Sequence, residues 1–411
     1  MTILFIVTSF WAYGELVIAC EFAKRLHHST YNILFLIPPS HEKLVKNFKF
    51  SYITLVPRQA KINKIILKDI EHRLKPQIII LADFLNYHFC TEHYGLMADD
   101  LEIFTGKIGT FDNFDWQLTR EYVDTYGFKA WKFADVDVSK YSFRLCPCPI
   151  LAPRKSNNNI YYQLITNKLP YDMIQTNYWK NKLGLPNDKK MILFTHATWQ
   201  ETYKAYPHVT AFIEANGKAF EFIIKELAKK YCIICVGATG KYSNMENPNI
   251  YFYKQLSPTL FDRYLLATDL LIARNITSTS LAKAVVSGIP AINFINSISF
   301  NKNKMFDKNN LSFEPIKMVS DLLESLDRCY PYRMFPVGWH KFLSPLLKSN
   351  PYNDIIINLE QFDIIGSLTK INYILSDDHN KLNDKVAFYN NSLNLLPKAN
   401  EIIESLMKRK L

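Results

Sequence analysis

Short apolar runs alternate along this chain with segments of helical spacing, and that alternation restricts the fold more than any other feature. Thr2 to Thr8 is unbroken and apolar, as a strand covered on both faces of a parallel sheet must be. The loop Ser9 to Glu15 follows. Leu16, Ala19, Cys20, Ala23 and Leu26 then recur on one helical face, with Glu21, Lys24 and Arg25 between them. Ile33 to Ile37 is a second strand, stopped by Pro38 and Pro39, which completes a βαβ unit. A weakly helical stretch from 61 to 73 leads to a third strand, Gln77 to Ala82, that ends at Asp83.

From Glu92 to Tyr141 aromatic and acidic residues crowd together without a clear period, which predicts an elaborated loop over one end of the sheet. The proline-rich and polar run from Cys146 to Asn159 reads as linker or exposed loop, with the domain boundary between about 150 and 187. The pattern then restarts. Strands are expected at Met191 to Phe194, Cys232 to Val236, Asn249 to Tyr253, Leu270 to Ala273 and Ala291 to Ile295. Helices are expected at Ala219 to Lys230, Leu260 to Ala267 and Thr279 to Ser287. Beyond about residue 318 the pattern is mainly helical. With 411 residues, the chain exceeds what a single core usually supports. The expectation is an α/β protein with two Rossmann-like doubly wound domains, 1–165 and 187–340. A helical C-terminal segment, 341–411, would pack back across them.

Composition narrows the partners. The 49 basic and 38 acidic residues leave a formal charge of +11, with the lysines scattered rather than massed. Such a field favours an anionic partner, and a sugar nucleotide or peripheral contact with an anionic membrane suits it as well as nucleic acid. No base-reading or single-strand motif accompanies the charge, so nucleic acid is not the expected partner. The apolar start lacks a basic leader and carries Glu15, which argues for a buried first strand rather than a signal peptide. No run approaches the roughly 18 apolar residues of a membrane span, and a cytoplasmic protein is expected. The seven cysteines (20, 90, 146, 148, 232, 235 and 329) form no disulfide or zinc framework. Cys232 and Cys235 have redox spacing, but on a strand an i, i+3 pair points to opposite faces. Reduced thiols are expected.

Chemistry concentrates between Asp269 and Ile292. Arg274 leaves a strand as a cation, and Thr277, Ser278, Thr279 and Ser280 are placed to cap the next helix and donate to a diphosphate. Gly288 ends that helix and Pro290 opens the next strand. Together with Pro248 to Lys254 and the helix before Asp269, this run resembles the donor half of GT-B glycosyltransferases. It is most similar to the group containing the N-acetylglucosaminyltransferase of peptidoglycan synthesis. The order of elements in that family is reproduced almost completely by residues 247 to 292.

The resemblance implies two Rossmann-like domains facing a cleft and a sugar moved from a nucleoside diphosphate to an acceptor. It also implies metal independence and no cofactor beyond the donor. Arg274, Thr277 to Ser280, Thr195, His196, and Gly237 with Thr239 would hold the leaving diphosphate. The chain departs from the family at two places. Its first loop, Ser9 to Glu15, has one glycine and ends in glutamate where relatives have a glycine-rich loop often ending in histidine. Lys283 stands where relatives place a glutamate that accepts hydrogen bonds from the donor ribose, and a lysine only donates.

Transfer also needs a base. Glu15, at the first strand-to-helix turn, ranks first and Asp83, at a strand end, second, with Asp112 and Asp115 as further candidates. The bland reading of each is a helix cap, and His196 can equally be a packed or solvated histidine. No metal-ligating spacing and no serine-histidine or phosphate-loop signature stands out. Trp339 can stack on a ring or plug a turn. Two other readings keep the fold: a sugar-nucleotide 2-epimerase or hydrolase, and a partner protein without catalysis, which Lys283 and the altered first loop favour. The acceptor, whether lipid-linked, peptide or small molecule, stays open.

Overall fold

The structure is a computed structural model that describes residues 1–10, 13–120, 137–156, 158–197, 207–237, 246–295, 299–301, 304–306, 311–313, 346, 348, 350–376 and 380–408. Two compact units make up the chain. The first comprises Met1–Glu121, Trp131–Thr166 and Asn391–Leu411, and the second Tyr122–Ala130 and Asn167–Asn390.

The first unit is built on a seven-stranded sheet. Its strands are β1 (Thr2–Ile6), β2 (Asn32–Ile37), β3 (Ser51–Thr54), β4 (Ile78–Leu81), β5 (Lys107–Phe111), β6 (Phe143–Cys148) and β7 (Asn159–Gln163). They lie in the order β3-β2-β1-β4-β5-β6-β7, all pairs parallel. Its helices are α1 (Gly14–Ala23), α2 (Glu42–Phe48), α3 (Ala60–Leu74), α4 (Phe84–Tyr94) and the single turn α5 (Trp116–Thr119). Every residue of β1 and β4 is buried, which is why both read as uninterrupted apolar runs. Phe5 and Phe35 stack at 4.9 Å between β1 and β2, and Phe22 ties α1 to the sheet, meeting Phe111 and Tyr162 edge-on at 5.6 and 5.2 Å.

Two expectations are corrected here. The region read as an elaborated loop contains β5, a central strand. Its mixed Lys-Ile-Gly-Thr-Phe sequence hides the signal, because Gly109 gives up its side chain to the ring of Phe143, which a Cβ would meet at 2.2 Å. The stretch read as linker begins inside β6, all six residues of which are buried. Pro147 is tolerated in that strand because its nitrogen faces the β5 side. Pairing there stops at Phe111 opposite Leu145, so no ladder bond is lost.

In the second unit α6 (Met173–Lys182) precedes β8 (Met191–Thr195), α7 (Pro207–Ala228), β9 (Cys232–Val236) and β10 (Ile250–Tyr253). Then come α8 (Pro258–Leu266), β11 (Leu270–Ala273), α9 (Thr279–Val286) and β12 (Ala291–Ile295). A small antiparallel sheet follows, of β13 (Ser299–Asn301), β14 (Lys304–Phe306) and β15 (Ser312–Phe313). After α10 (Pro351–Asp354), β16 (Ile357–Glu360) joins the main sheet beside β12, in the order β10-β9-β8-β11-β12-β16. This strand lies in a stretch expected to be helical, and its four half-buried residues mark an edge, where the apolar run is too short to stand out. The core packs Phe220, Ile223, Ile224 and Leu227 of α7 and Ile371 and Ile374 of α11 (Ile364–Ser376) against β8, β9, β11 and β12.

After α12 (Asn380–Leu393), the final helix α13 (Ala399–Lys408) belongs to the first unit. Ala399, Ile402, Ile403 and Leu406 are buried there, Asn400 accepts from the His27 amide at 3.0 Å, and Leu406 accepts from Lys107 Nζ at 2.6 Å. The six described cysteines are all buried, and Cys329 lies outside the described residues.

Candidate functional site

In a doubly wound sheet, ligands bind where the strand order reverses, at the carboxyl ends of the strands. The first unit reverses between β1 and β4, the second between β8 and β11.

In the second unit three adjacent strands end in the residues singled out from sequence. Thr195 pairs with both Val236 and Ala273, so His196, Gly237 and Arg274 leave the sheet side by side. Gly237 has φ +87, and a Cβ there would stand 2.2 Å from the His196 carbonyl oxygen, so only glycine lets the two turns touch. Arg274, only 5% exposed, donates from Nη1 to His196 Nδ1 at 3.2 Å. Since guanidinium cannot accept, Nδ1 is the accepting nitrogen and Nε2 carries the imidazole proton. Phe220 of α7 lies beneath both, 4.8 Å from the guanidinium and 4.5 Å from the imidazole. Its role could not be read from sequence, where it is one more apolar residue of a core-facing helix stripe.

The hydroxyl run does not act uniformly. Thr277 turns back, its amide and hydroxyl both donating to Asn275 Oδ1 at 3.0 and 2.8 Å. Ser278 occupies the N-cap position of α9, but its side chain caps no helix N–H; its Oγ pairs instead with Ser280 Oγ at 2.6 Å. Ser280 also donates to Thr195 Oγ1 at 3.4 Å, and Thr279 opens the helix. The expected capping by all four hydroxyls is therefore corrected: Asn275 fastens the turn, and the side chain of the N-cap residue Ser278 makes no bond to the start of α9. A helix N-terminus whose N-cap side chain is turned elsewhere, together with a guanidinium, is suited to phosphate oxygens.

Lys283 does not point idly into solvent. Its Nζ lies 2.5 Å from Asp262 Oδ1 on α8, with both side chains partly exposed. A carboxylate is thus present beside the position where the resemblance calls for one, on a neighbouring helix. Thr239 lies outside the described residues, as do Trp339 and the other residues from 238 to 245.

At the reversal in the first unit the chemistry is acidic. Asp83 follows β4, is 4% exposed and caps α4 by accepting from the amides of Leu85 and Asn86 at 2.8 and 3.4 Å. Glu15 sits half-buried in the first turn of α1. Asn86 joins the two, its Nδ2 donating to Glu15 Oε1 at 2.9 Å and to Asp83 Oδ2 at 3.0 Å. Burial lifts the Glu15 carboxyl above its usual range. Burial, then the Glu15 charge, lifts Asp83 well above its own. Asp112, fully buried after β5, accepts from the amides of Phe114 and Trp116, and burial raises it to about 6. Asp115 instead accepts from the Tyr161 hydroxyl at 3.1 Å. Around the turn, Phe10 stacks on His93 at 4.2 Å and Tyr13 lies against His41 at 4.8 Å. Asn86 went unnoticed in the sequence; its one signal is its place three residues after a helix-capping aspartate.

Among the described residues no group of three His, Cys, Asp or Glu is placed to hold a metal ion, and no helix is long and apolar enough to cross a membrane.

Residues 22–410 match the model of DUF6365, described as a family of unknown function. The chain belongs to that family. No curated protein matches this DUF6365 member. Its fold is that of GT-B glycosyltransferases. It is similar to the spinosyn forosaminyltransferase SpnP, with 12% identity and a TM-score of 0.58 over 99% of this chain and 98% of that one. The spinosyn rhamnosyltransferase SpnG, solved with thymidine diphosphate, matches at 9% identity and a TM-score of 0.54 over 99% and 100%. MurG of Acinetobacter baumannii matches at 9% identity and 0.50 over 99% of each chain.

Proposed function

We propose that this DUF6365 member transfers a sugar from a nucleoside diphosphate to an acceptor hydroxyl without a metal ion. The observation that carries the reading is the buried Arg274, aligned by His196 and Phe220 at the strand reversal of the second unit, beside the uncapped N-terminus of α9. A fixed cation and a helix N-terminus in a partly dry site stabilise the negative charge that builds on a departing diphosphate. They need no rearrangement as the bond breaks. A similar fold solved with thymidine diphosphate supports a diphosphate ligand. The kinship of the second unit with the peptidoglycan N-acetylglucosaminyltransferases rests on the order of elements from 247 to 292. Glu15, backed by Asp83, is the base for the acceptor.

The Lys283–Asp262 pair favours a second reading at the nucleoside end. With a lysine on α9, the ribose is met differently from the family's habit, so an unusual donor or a binding protein without turnover fits the same geometry. The discriminating experiment is a thermal-shift screen of the full chain with nucleoside mono- and diphosphates, followed by product analysis with the stabilising donor. Stabilisation by diphosphates with sugar transferred or released supports the enzyme. Stabilisation without turnover favours the binding protein. No stabilisation by any nucleotide at millimolar concentration sinks the donor site.

A further inference from the structure

The acidic reversal in the first unit contains more organisation than a pair of helix caps requires. Asp83 already satisfies the start of α4 through Oδ1, which accepts from the Leu85 and Asn86 amides. Its second oxygen is engaged separately, by the side chain of Asn86, and the same nitrogen holds Glu15. The two hydrogens of one amide thus serve two carboxyls from different elements, α1 and the β4–α4 turn. Each carboxyl oxygen is within hydrogen-bonding distance of that nitrogen, so the pair stands no more than about 6 Å apart, where like charges repel strongly when buried. Glu15 Oε2 is buried and has no hydrogen-bond partner among the described residues, and the same is true of Ser9 Oγ, on the turn that leads into α1. A cap alone gives no reason for a buried carboxylate oxygen to go unmet.

We propose that Asn86 is a positioning residue: it yokes Glu15 to Asp83, steadies the charge on Glu15 while burial and the neighbouring charge keep a proton on Asp83, and leaves Glu15 Oε2 to accept a proton from an acceptor hydroxyl. The inference rests on the glycosyl-transfer reading for its acceptor. In the reaction the hydroxyl oxygen bonds to the anomeric carbon of the donor. The bond from that carbon to the diphosphate oxygen breaks, the electron pair leaves with the diphosphate, and the hydroxyl proton passes to Glu15 Oε2. Asp83 holds the resident proton on Oδ2, since Oδ1 is committed to backbone amides, and Glu15 carries the charge. The relative burial of the two supports that division, since Asp83 is 4% exposed and Glu15 only half-buried. Of the other titratable groups facing the pair, Asp112 beyond β5 acts on Asp83, while the two carboxyls raise Cys90 on α4 and Asp83 raises Tyr141. Asp112 adds a negative charge when ionised, which reinforces retention of the proton.

The test is an infrared pH titration of the full-length protein, with Asp83→Asn and Glu15→Gln to assign bands, followed by the same titration of Asn86→Leu. A protonated carboxyl band is expected at neutral pH, lost in Asp83→Asn. Because Asn86 donates to the charged forms, Asn86→Leu should move the ionisation of Glu15 upward by about one pH unit, and the acid limb of any pH–rate profile with it. Should Asn86→Leu fail to fold, Asn86→Ser, which keeps one donor, should give a smaller shift in the same direction. Absence of the band in the wild-type protein, or an unmoved titration in a folded Asn86 variant, overturns the proposal. Nucleotide binding measured by calorimetry on the same samples keeps the two ideas apart. If the wild-type protein binds no nucleotide, the transfer reading fails, and the acceptor role assigned to Glu15 fails with it, whatever the titration shows.

Discussion

The two strand reversals have one topology and opposite chemistry. In the first unit the exits of β1, β4 and β5 lead to Glu15, Asp83 and Asp112, three carboxyls whose burial makes ionisation costly. In the second, the exits of β8, β9 and β11 lead to His196, Gly237 and Arg274, a neutral imidazole and a cation resting on an aromatic ring. A parallel sheet that reverses its order supplies a crevice in either case. Which ligand the crevice takes is decided by whether the side chains there hold protons or repel them. A proton acceptor belongs to the first kind and an anion cradle to the second.

The largest expected effect lies on the cationic side. Arg274→Gln should weaken nucleoside-diphosphate binding by about 100-fold, read by calorimetry, while leaving the carboxyl titration of the first unit untouched. Unchanged affinity would erase the contrast between the two reversals.

Next comes a pH effect confined to the acidic side. Asp112 rises from 3.8 to about 6 on folding, so the folded protein binds more protons than the unfolded chain between those values. Stability is therefore fully present below about pH 4 and falls as pH rises toward 6, by on the order of 2–3 kcal/mol from this residue, with Glu15 and Asp83 acting in the same direction. Urea midpoints of the first unit's transition should show this slope, and Asp112→Asn should flatten it. A flat wild-type profile would mean that these carboxyls ionise freely.

Gly237→Ala should destabilise the second unit by roughly 2 kcal/mol, from the left-handed φ and the clash with the His196 carbonyl, and should lower the nucleotide-induced thermal shift. A tolerated alanine would show that the two turns move apart at little cost, and that the site is less fixed than its counterpart. The smallest effect belongs to Lys283→Met. The pair with Asp262 is partly exposed, so stability should drop by less than about 1 kcal/mol, while the ranking of nucleosides in the thermal-shift screen should change. An unchanged ranking would detach Lys283 from the nucleoside.

How legible these features were depends on what each residue does locally. β11 and β12 carry the ends read from sequence, Leu270–Ala273 and Ala291–Ile295, because buried parallel strands are uniformly apolar and their caps are sharp. β5 was hidden because a glycine and a lysine interrupt its apolar run, and β6 because proline normally argues against a strand; both exceptions depend on what the neighbouring strand supplies. Arg274 and His196 stood out as polar residues immediately after strands. Phe220, Asn86 and Asp262 did not, since each acts through a partner 54, 71 or 21 positions away in the chain, and no local pattern carries that information.

The last helix, α13, completes the unit that begins with β1, whereas residues 167 to 390 of the second unit are contiguous. During synthesis the usual order of events is therefore reversed. The second unit has all its strands outside the ribosome while the first still lacks the helix whose Ile402, Ile403 and Leu406 bury part of its apolar surface. The earlier-made half must wait, partly open, for the later one, and a nascent chain halted near residue 390 would present that uncovered surface to any chaperone that binds apolar segments.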